Sequence, residues 1–306
     1  MQIQGLIHMK CLSLCSASSY NISAGLLSGM QQLTHLDVQS PEANAAPGQP
    51  SSFDPGAWHA QLHSVSLSHF TIAGGSAGTA QLLSAWSHMQ QLTCLDFRHS
   101  LPRDETGPPA AAYSALTASS KLSHLGVSWC TLPDSVWQHV FPNDRRLPDL
   151  QSLVFAEVKQ QQPLIDPPAT PAAAPVPDGD RIVCCCPGLR QFHVPGLFHT
   201  QALLAPLTGL TALDLLNLNP ASNSTSDGRE LVLQLTGLKA LHMVQRGEDG
   251  ALLLQLGQLR QLTQLDFIHI VLAPPAPSGL ERVTISDRVN YKEVSCVLGG
   301  HFPIPG

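Results

Sequence analysis

Charge is scarce in this chain. Asp, Glu, Lys and Arg make up 12% of its 306 residues, and the formal net charge is −6. With a pI near 6.1 there is no basic footprint for nucleic acid, and no block of like charges forms an interaction tail. Aromatic residues are also few, at 5%. No apolar run reaches the roughly 18 residues that a membrane helix needs, so no membrane insertion is expected. The opening MQIQGLIHMKCLSLCSASSY has a short apolar region with no basic segment ahead of it. It reads as the first copy of the pattern described below, not as a secretory signal. A Rossmann glycine fingerprint, a Walker phosphate loop and a paired-carboxylate acid/base site are all missing, and no cofactor is expected.

What the chain has is leucine at fixed intervals. The run Ala251–Leu272 contains Leu262-x-x-Leu265-x-Phe267, and most other segments are imperfect copies of it. Earlier copies are Met9-x-x-Leu12-x-Leu14, Leu33-x-x-Leu36-x-Val38, Leu62-x-x-Val65-x-Leu67, Leu92-x-x-Leu95-x-Phe97, Leu122-x-x-Leu125-x-Val127 and Leu150-x-x-Leu153-x-Phe155. Later ones are Leu189-x-x-Phe192-x-Val194, Leu210-x-x-Leu213-x-Leu215 and Leu238-x-x-Leu241-x-Met243, with Leu280-x-x-Val283-x-Ile285 as a weak last copy. Central residues are 24, 29, 30, 30 and 28 apart, then 39, 21, 28, 24 and 18.

Alternation explains the architecture. In x-Leu-x-Leu-x the two leucines face one way and their neighbours the other. One such strand cannot bury its apolar face alone, but copies stacked in parallel about 4.8 Å apart make a continuous core. The copies and their spacing resemble the leucine-rich-repeat family, whose repeats run roughly 20–29 residues. Leu122-Ser-His-Leu-Gly-Val-Ser-Trp-Cys130-Thr-Leu132 matches the family signature throughout. Most other copies lack its Asn or Cys, which argues against the plant receptor subclass. The resemblance implies an α/β solenoid, a curved horseshoe with a parallel sheet on the concave face and short helices or loops on the convex face.

The solenoid is expected over 1–285, with an irregular tail at 286–306. Proline-rich loops are expected at 40–56, 101–112 and 273–279, and a larger low-complexity insertion at 160–180. Helices are expected over Thr79–Met89, Ala111–Ser119 and from Ser135 through Val140, with Ser135 as a cap. Because the repeat begins almost at Met1, the polar cap that shields a first core layer is not seen, and a fragment or an incomplete gene model is expected. The eight cysteines, without a secretory signal, favour free thiols and a cytoplasmic location.

Two stretches resemble chemical motifs. Gly74-Gly-Ser76-Ala-Gly78 fits a nucleophile elbow and would make Ser76 the nucleophile of a serine hydrolase. The same glycines fall where the repeat must turn, and the turn is the preferred reading. Cys184-Cys185-Cys186 with His193 and His199 loosely suggests zinc. Neighbours on an extended chain alternate faces, so the three thiols are not expected to share one ion, and no metal site is assigned.

The outward residues of the strands are the better candidates. Between each pair of core residues stand Ser13, Asp37, Ser66, Asp96, Gly126, Val154, His193, Asp214, His242, Asp266 and Thr284. His193, Asp214, His242 and Asp266 would alternate on consecutive strands, and a protonated His242 between carboxylates would be stabilised. A second patch combines His69, His99 and Trp129, with Arg98 and His124 nearby. These residues make the candidate concave-face site of a non-catalytic scaffold for a protein partner. Family resemblance adds two narrower alternatives, a substrate-receptor-like subunit of a ubiquitin ligase and a cytoskeletal or ciliary axoneme component.

Overall fold

The computed structural model describes residues 8–15, 21–22, 30, 32–39, 52–53, 62–68, 71–72, 75–98, 107–128, 130–133, 135–156, 159–160, 179–195, 205–210, 213, 215–219, 232–244, 259–268, 282–287 and 292–297. The chain divides into two compact units, Met1–Pro187 and Gly188–Gly306. The insertion expected at 160–180 and the loops at 40–56 and 273–279 lie largely or wholly outside the described residues.

The first unit carries strands β1 (Cys11–Cys15), β2 (His35–Gln39), β3 (Ser64–Ser68), β4 (Cys94–Arg98), β5 (His124–Ser128) and β6 (Ser152–Ala156). Each pairs in parallel with the next, and Leu12, Leu36, Val65, Leu95, Leu125 and Leu153 lie opposite one another. That is the register the repeat implies. β2 alternates exposed, buried, half-buried, buried, exposed along His35–Gln39, as one buried face requires.

The chain reaches several of the strands in the same way. An i→i+3 turn precedes the first leucine, as in Leu33 N–H to Met30 O at 3.0 Å, Leu92 to Met89 at 3.2 Å and Leu150 to Leu147 at 3.1 Å. The residue opening that turn is a buried apolar one at Met30, Met89 and Leu147. Ser119 holds the equivalent place and is also buried. Its hydroxyl is satisfied by the Leu92 carbonyl at 2.7 Å, with the Gln90 carbonyl 3.1 Å away. Immediately after the first leucine, a hydroxyl donates to the preceding repeat. Thr34 Oγ1 reaches Lys10 O at 3.1 Å, Thr93 Oγ1 reaches His63 O at 2.9 Å and Ser123 Oγ reaches Thr93 O at 2.8 Å.

Helices cover the core from the other side. α1 spans Gly75–Ser87, four residues earlier at its start than the apolar spacing suggested. It buries Leu82, Leu83 and Trp86, and the Trp86 ring stacks on Phe97 with centroids 4.4 Å apart. A 3₁₀ helix spans Ala110–Thr117, and α2 spans Val136–Val140. Trp137 of α2 packs on Phe155 with centroids 4.5 Å apart. Ser135 does precede α2 but does not cap it, because its backbone is left-handed (φ 61°, ψ 5°) and its side chain makes no capping bond. Sequence patterning missed α3 (Gly179–Cys185), which begins where the low-complexity insertion ends and buries Ile182 and Cys185.

The second unit carries β7 (Gln191–Pro195), β8 (Leu215–Asn219), β9 (Ala240–Val244), β10 (Gln264–Ile268) and β11 (Arg282–Asp287), paired in parallel in that order. β12 (Lys292–Val297) then pairs antiparallel with β11, so the stretch 286–306 is not wholly irregular. In β8 the register differs from the expected one by three residues. Leu216, not Leu213, aligns with Phe192 and Leu241. The leucine run 210–218 satisfies the motif in two frames, and the observed frame evens the spacing to 24 residues (192 to 216) and 25 (216 to 241).

Candidate functional site

On the sheet face of the first unit, away from the apolar core, the central places align as Ser13, Asp37, Ser66, Asp96, Gly126 and Val154. The row beside them holds Cys11, His35, Ser64, Cys94, His124 and Ser152. These side chains share one face because each stands two residues from the next along its strand.

Asp37 accepts from Ser13 Oγ at 3.2 Å and from Gln39 Nε2 at 3.3 Å, both through Oδ2. Its Oδ1 is buried and finds no hydrogen-bond partner among the described residues. Asp96 is held by Arg98 of its own strand. Nη2 and Nε both lie 3.2 Å from Asp96 Oδ2, with the Arg98 side chain 61% exposed and that of Asp96 15%.

The outward row lacks a side chain at Gly126. A Cβ on this residue would collide with Asp96 Oδ1 and stand 3.3 Å from His124 Nε2. Gly126 is buried because those two side chains lie over it, and its lack of a Cβ is what lets them do so. His124 Nδ1 lies 2.9 Å from Ser152 Oγ. Burial pushes the His124 imidazole below its ordinary value, Asp96 pulls it up and Arg98 pushes it down again. Burial raises the Cys94 thiol, which keeps it protonated, while its hydrogen bond with Ser64 works the other way. Asp96, Arg98 and His124 are therefore gathered into one cluster. Sequence alignment of the repeats set Asp96 in the outward row and put Arg98 and His124 beside His69, His99 and Trp129. It did not single out Gly126, Ser152 or Cys94, although a glycine in a row of Ser and Asp was the visible signal.

In the second unit the row reads His193, Asn217, His242, Asp266 and Thr284. Asn217 takes the place assigned to Asp214, so His242 has a carboxylate position beside it on one flank only. His193 and His242 are half-buried. Asp214, His69, His99 and Trp129 lie outside the described residues.

Neither chemical motif is assembled as its pattern asks. Ser76 is the second residue of α1, and the strand before it, Thr71–Ile72, belongs to a three-stranded sheet of two-residue strands. A hydrolase elbow sits instead at the top of a large sheet with an acid and a histidine to hand. Cys184–Cys186 stand at the end of α3, not on an extended chain. Cys184 is exposed while Cys185 and Cys186 are buried, and the Cys185 thiol lies 3.2 Å from Pro142 O. Burial raises both buried thiols, and no group of three or more metal-ligating side chains forms among the described residues. No helix among those residues is long and apolar enough to cross a membrane.

No family model matches the sequence, and no curated protein matches it. Solved structures do. An internalin from Listeria monocytogenes, InlF, is 16% identical, with 93% of this chain and 70% of that one covered at a TM-score of 0.54. This likeness shows the fold, an α/β leucine-rich-repeat solenoid. Two further Listeria monocytogenes proteins are more distant. Internalin C2 is 13% identical over 92% of this chain and 82% of that one at a TM-score of 0.33, and the functional domain of InlJ is 12% identical over 92% and 60% at 0.41.

Proposed function

We propose that the chain is a non-catalytic interaction scaffold that binds a protein partner on the outward face of its parallel sheet. The observation that carries this reading is the alignment of Ser13, Asp37, Ser66, Asp96, Gly126 and Val154 across six paired strands, on the side opposite the buried leucines. Gly126 apart, residues on that side can change without disturbing the core, which is how repeat proteins build extended binding surfaces. Asp37 presents a carboxylate on this face, which suits a basic side chain of the partner, while Asp96 shares its own with Arg98. Buried single thiols at Cys130 and Cys186 accord with the cytoplasm, the compartment we propose.

The test places a photo-crosslinking residue at Ser13 or Ser66, and separately at the exposed α1 positions Gln81 and Ser84. The scaffold reading expects one protein to be captured from Ser13 and Ser66 and lost from Gln81 and Ser84. Equal capture from both sides would remove the face from consideration. A ubiquitin-ligase role and a cytoskeletal or axonemal role are separated by what that protein is. Ser76→Ala should leave the capture unchanged.

A further inference from the structure

We propose that His124, Asp96 and Arg98 form a proton-operated switch on the sheet face of the first unit. Protonation of His124 recruits Asp96 and turns a neutral ion pair into a cationic cluster.

The geometry is laid out for it. His124 Nε2 and Asp96 Oδ1 both border the space a Cβ on Gly126 would take, Nε2 at 3.3 Å from it and Oδ1 closer still. The other ring nitrogen, Nδ1, is already engaged with Ser152 Oγ at 2.9 Å. The other carboxylate oxygen, Oδ2, is engaged with Arg98 at 3.2 Å. A neutral imidazole offers one donor, whereas the protonated ring donates from both nitrogens. Nδ1–H then serves Ser152, and Nε2–H becomes available to Asp96 Oδ1, which borders the same space. The charge of the group changes from zero, Asp96 against Arg98, to plus one. Asp96 is then shared between two cations, and its hold on the exposed guanidinium weakens.

Among the described residues of the two neighbouring strands, the charges that act on His124 are those of Asp96 and Arg98. β4 brings Cys94, Asp96 and Arg98 against it, and Cys94 is held as a neutral thiol. β6 brings Ser152 and Val154, neither of them titratable. Ahead of β5, Lys121 is engaged elsewhere, its Nζ donating to Gln91 Oε1. Burial, Asp96 and Arg98 all act on the ring, in that order of weight, with burial and Arg98 favouring the neutral form. The switch therefore operates on the acid side of the ordinary histidine value of 6.5. Its consequence for binding rests on the scaffold reading, because a face that turns cationic repels a basic partner. The proton step itself can be measured without any partner.

The experiment is a nitrogen-detected NMR titration of the full chain between about pH 5 and 8, the range in which histidine changes charge. The expected result is a His124 midpoint below 6.5, with the Arg98 Nε–H resonance moving on the same curve. Asp96→Asn should move that midpoint to lower pH, and Arg98→Gln should move it to higher pH. Arg98 is the more exposed of the pair, so its variant keeps the fold even if Asp96→Asn does not. An Arg98 signal that ignores the His124 transition, or an Arg98→Gln midpoint that stays in place, overturns the proposal. Loss of partner binding at neutral pH in the scaffold test would leave this titration standing.

Discussion

Asp96 fills the space above Gly126 so fully that no Cβ could stand there without moving the carboxylate. Gly126→Ala should therefore destabilise the first unit by about 1–3 kcal/mol, the usual cost of overpacking. Chemical denaturation reads the loss directly. A variant as stable as the natural chain would mean that Asp96 swings aside without cost.

Ser135 is the only non-glycine residue with positive φ among those described. A left-handed backbone costs a side-chain-bearing residue about 1–2 kcal/mol. Ser135→Gly should raise stability by roughly 0.5–1 kcal/mol once the greater freedom of the unfolded chain is deducted. Ser135→Ala should change it by less than about 0.5 kcal/mol, because no capping bond is lost. Thermal unfolding of the two variants side by side separates strain from capping.

Thr117 is fully buried, and its hydroxyl joins three elements. Oγ1 donates to Val140 O at 2.6 Å and lies 3.3 Å from Arg145 Nη1, which also reaches the carbonyls of Thr117 and Ser114. Thr117→Val preserves the shape and removes the hydroxyl. The expected loss is about 1–3 kcal/mol, since the Val140 carbonyl is left without that donor. Hydrogen exchange should show the loss concentrated at the end of the 3₁₀ helix.

The pH dependence of stability follows from His124. Its folded value lies below 6.5, so between the two values the unfolded chain binds more protons than the folded one. Its contribution is fully present above 6.5 and is lost as pH falls through that value toward the lower folded one. His124→Gln should flatten this part of the stability–pH curve relative to the natural chain. Parallel curves for the two proteins would show that the imidazole titrates alike in both states.

Thiol chemistry offers a map of burial. Cys11 and Cys184 are exposed, whereas Cys130 is buried with its thiol pushed up to about 12 and Cys186 is raised as well. Alkylation of the native protein, read by peptide mass spectrometry, should mark Cys11 and Cys184 first. Cys130 and Cys186 should react only after unfolding. Early labelling of Cys130 would contradict its place in the core.

The strands were legible because alternation leaves a strong trace. Leu36 and Val38, or Leu95 and Phe97, announce both the element and its inward face. The frame of β8 was not, because Leu210, Leu213 and Leu215 fit the motif and so do Leu213, Leu216 and Leu218, and only pairing with neighbours decides between the frames. α3 was hidden behind the low-complexity stretch before it, and its single face, Ile182 and Cys185, is too short to show a period. The cluster at Gly126 was half visible. Its residues could be placed on adjacent strands by counting, but the absence of one side chain as the cause of the contact needs the third dimension.

The recurring joint between repeats makes the chain length adjustable in whole steps. The Thr34 carbonyl receives the amides of His63 at 2.7 Å and Ser64 at 3.1 Å, and the His63 carbonyl receives those of Thr93 at 2.7 Å and Cys94 at 3.0 Å. Excising residues 62–91 would bring Thr93 and Cys94 to the vacated Thr34 carbonyl, with the Thr93 hydroxyl arriving as the next seal. Interchangeable seams of this kind let a lineage lengthen, shorten or shuffle its recognition surface by duplication and deletion, without redesigning any single layer.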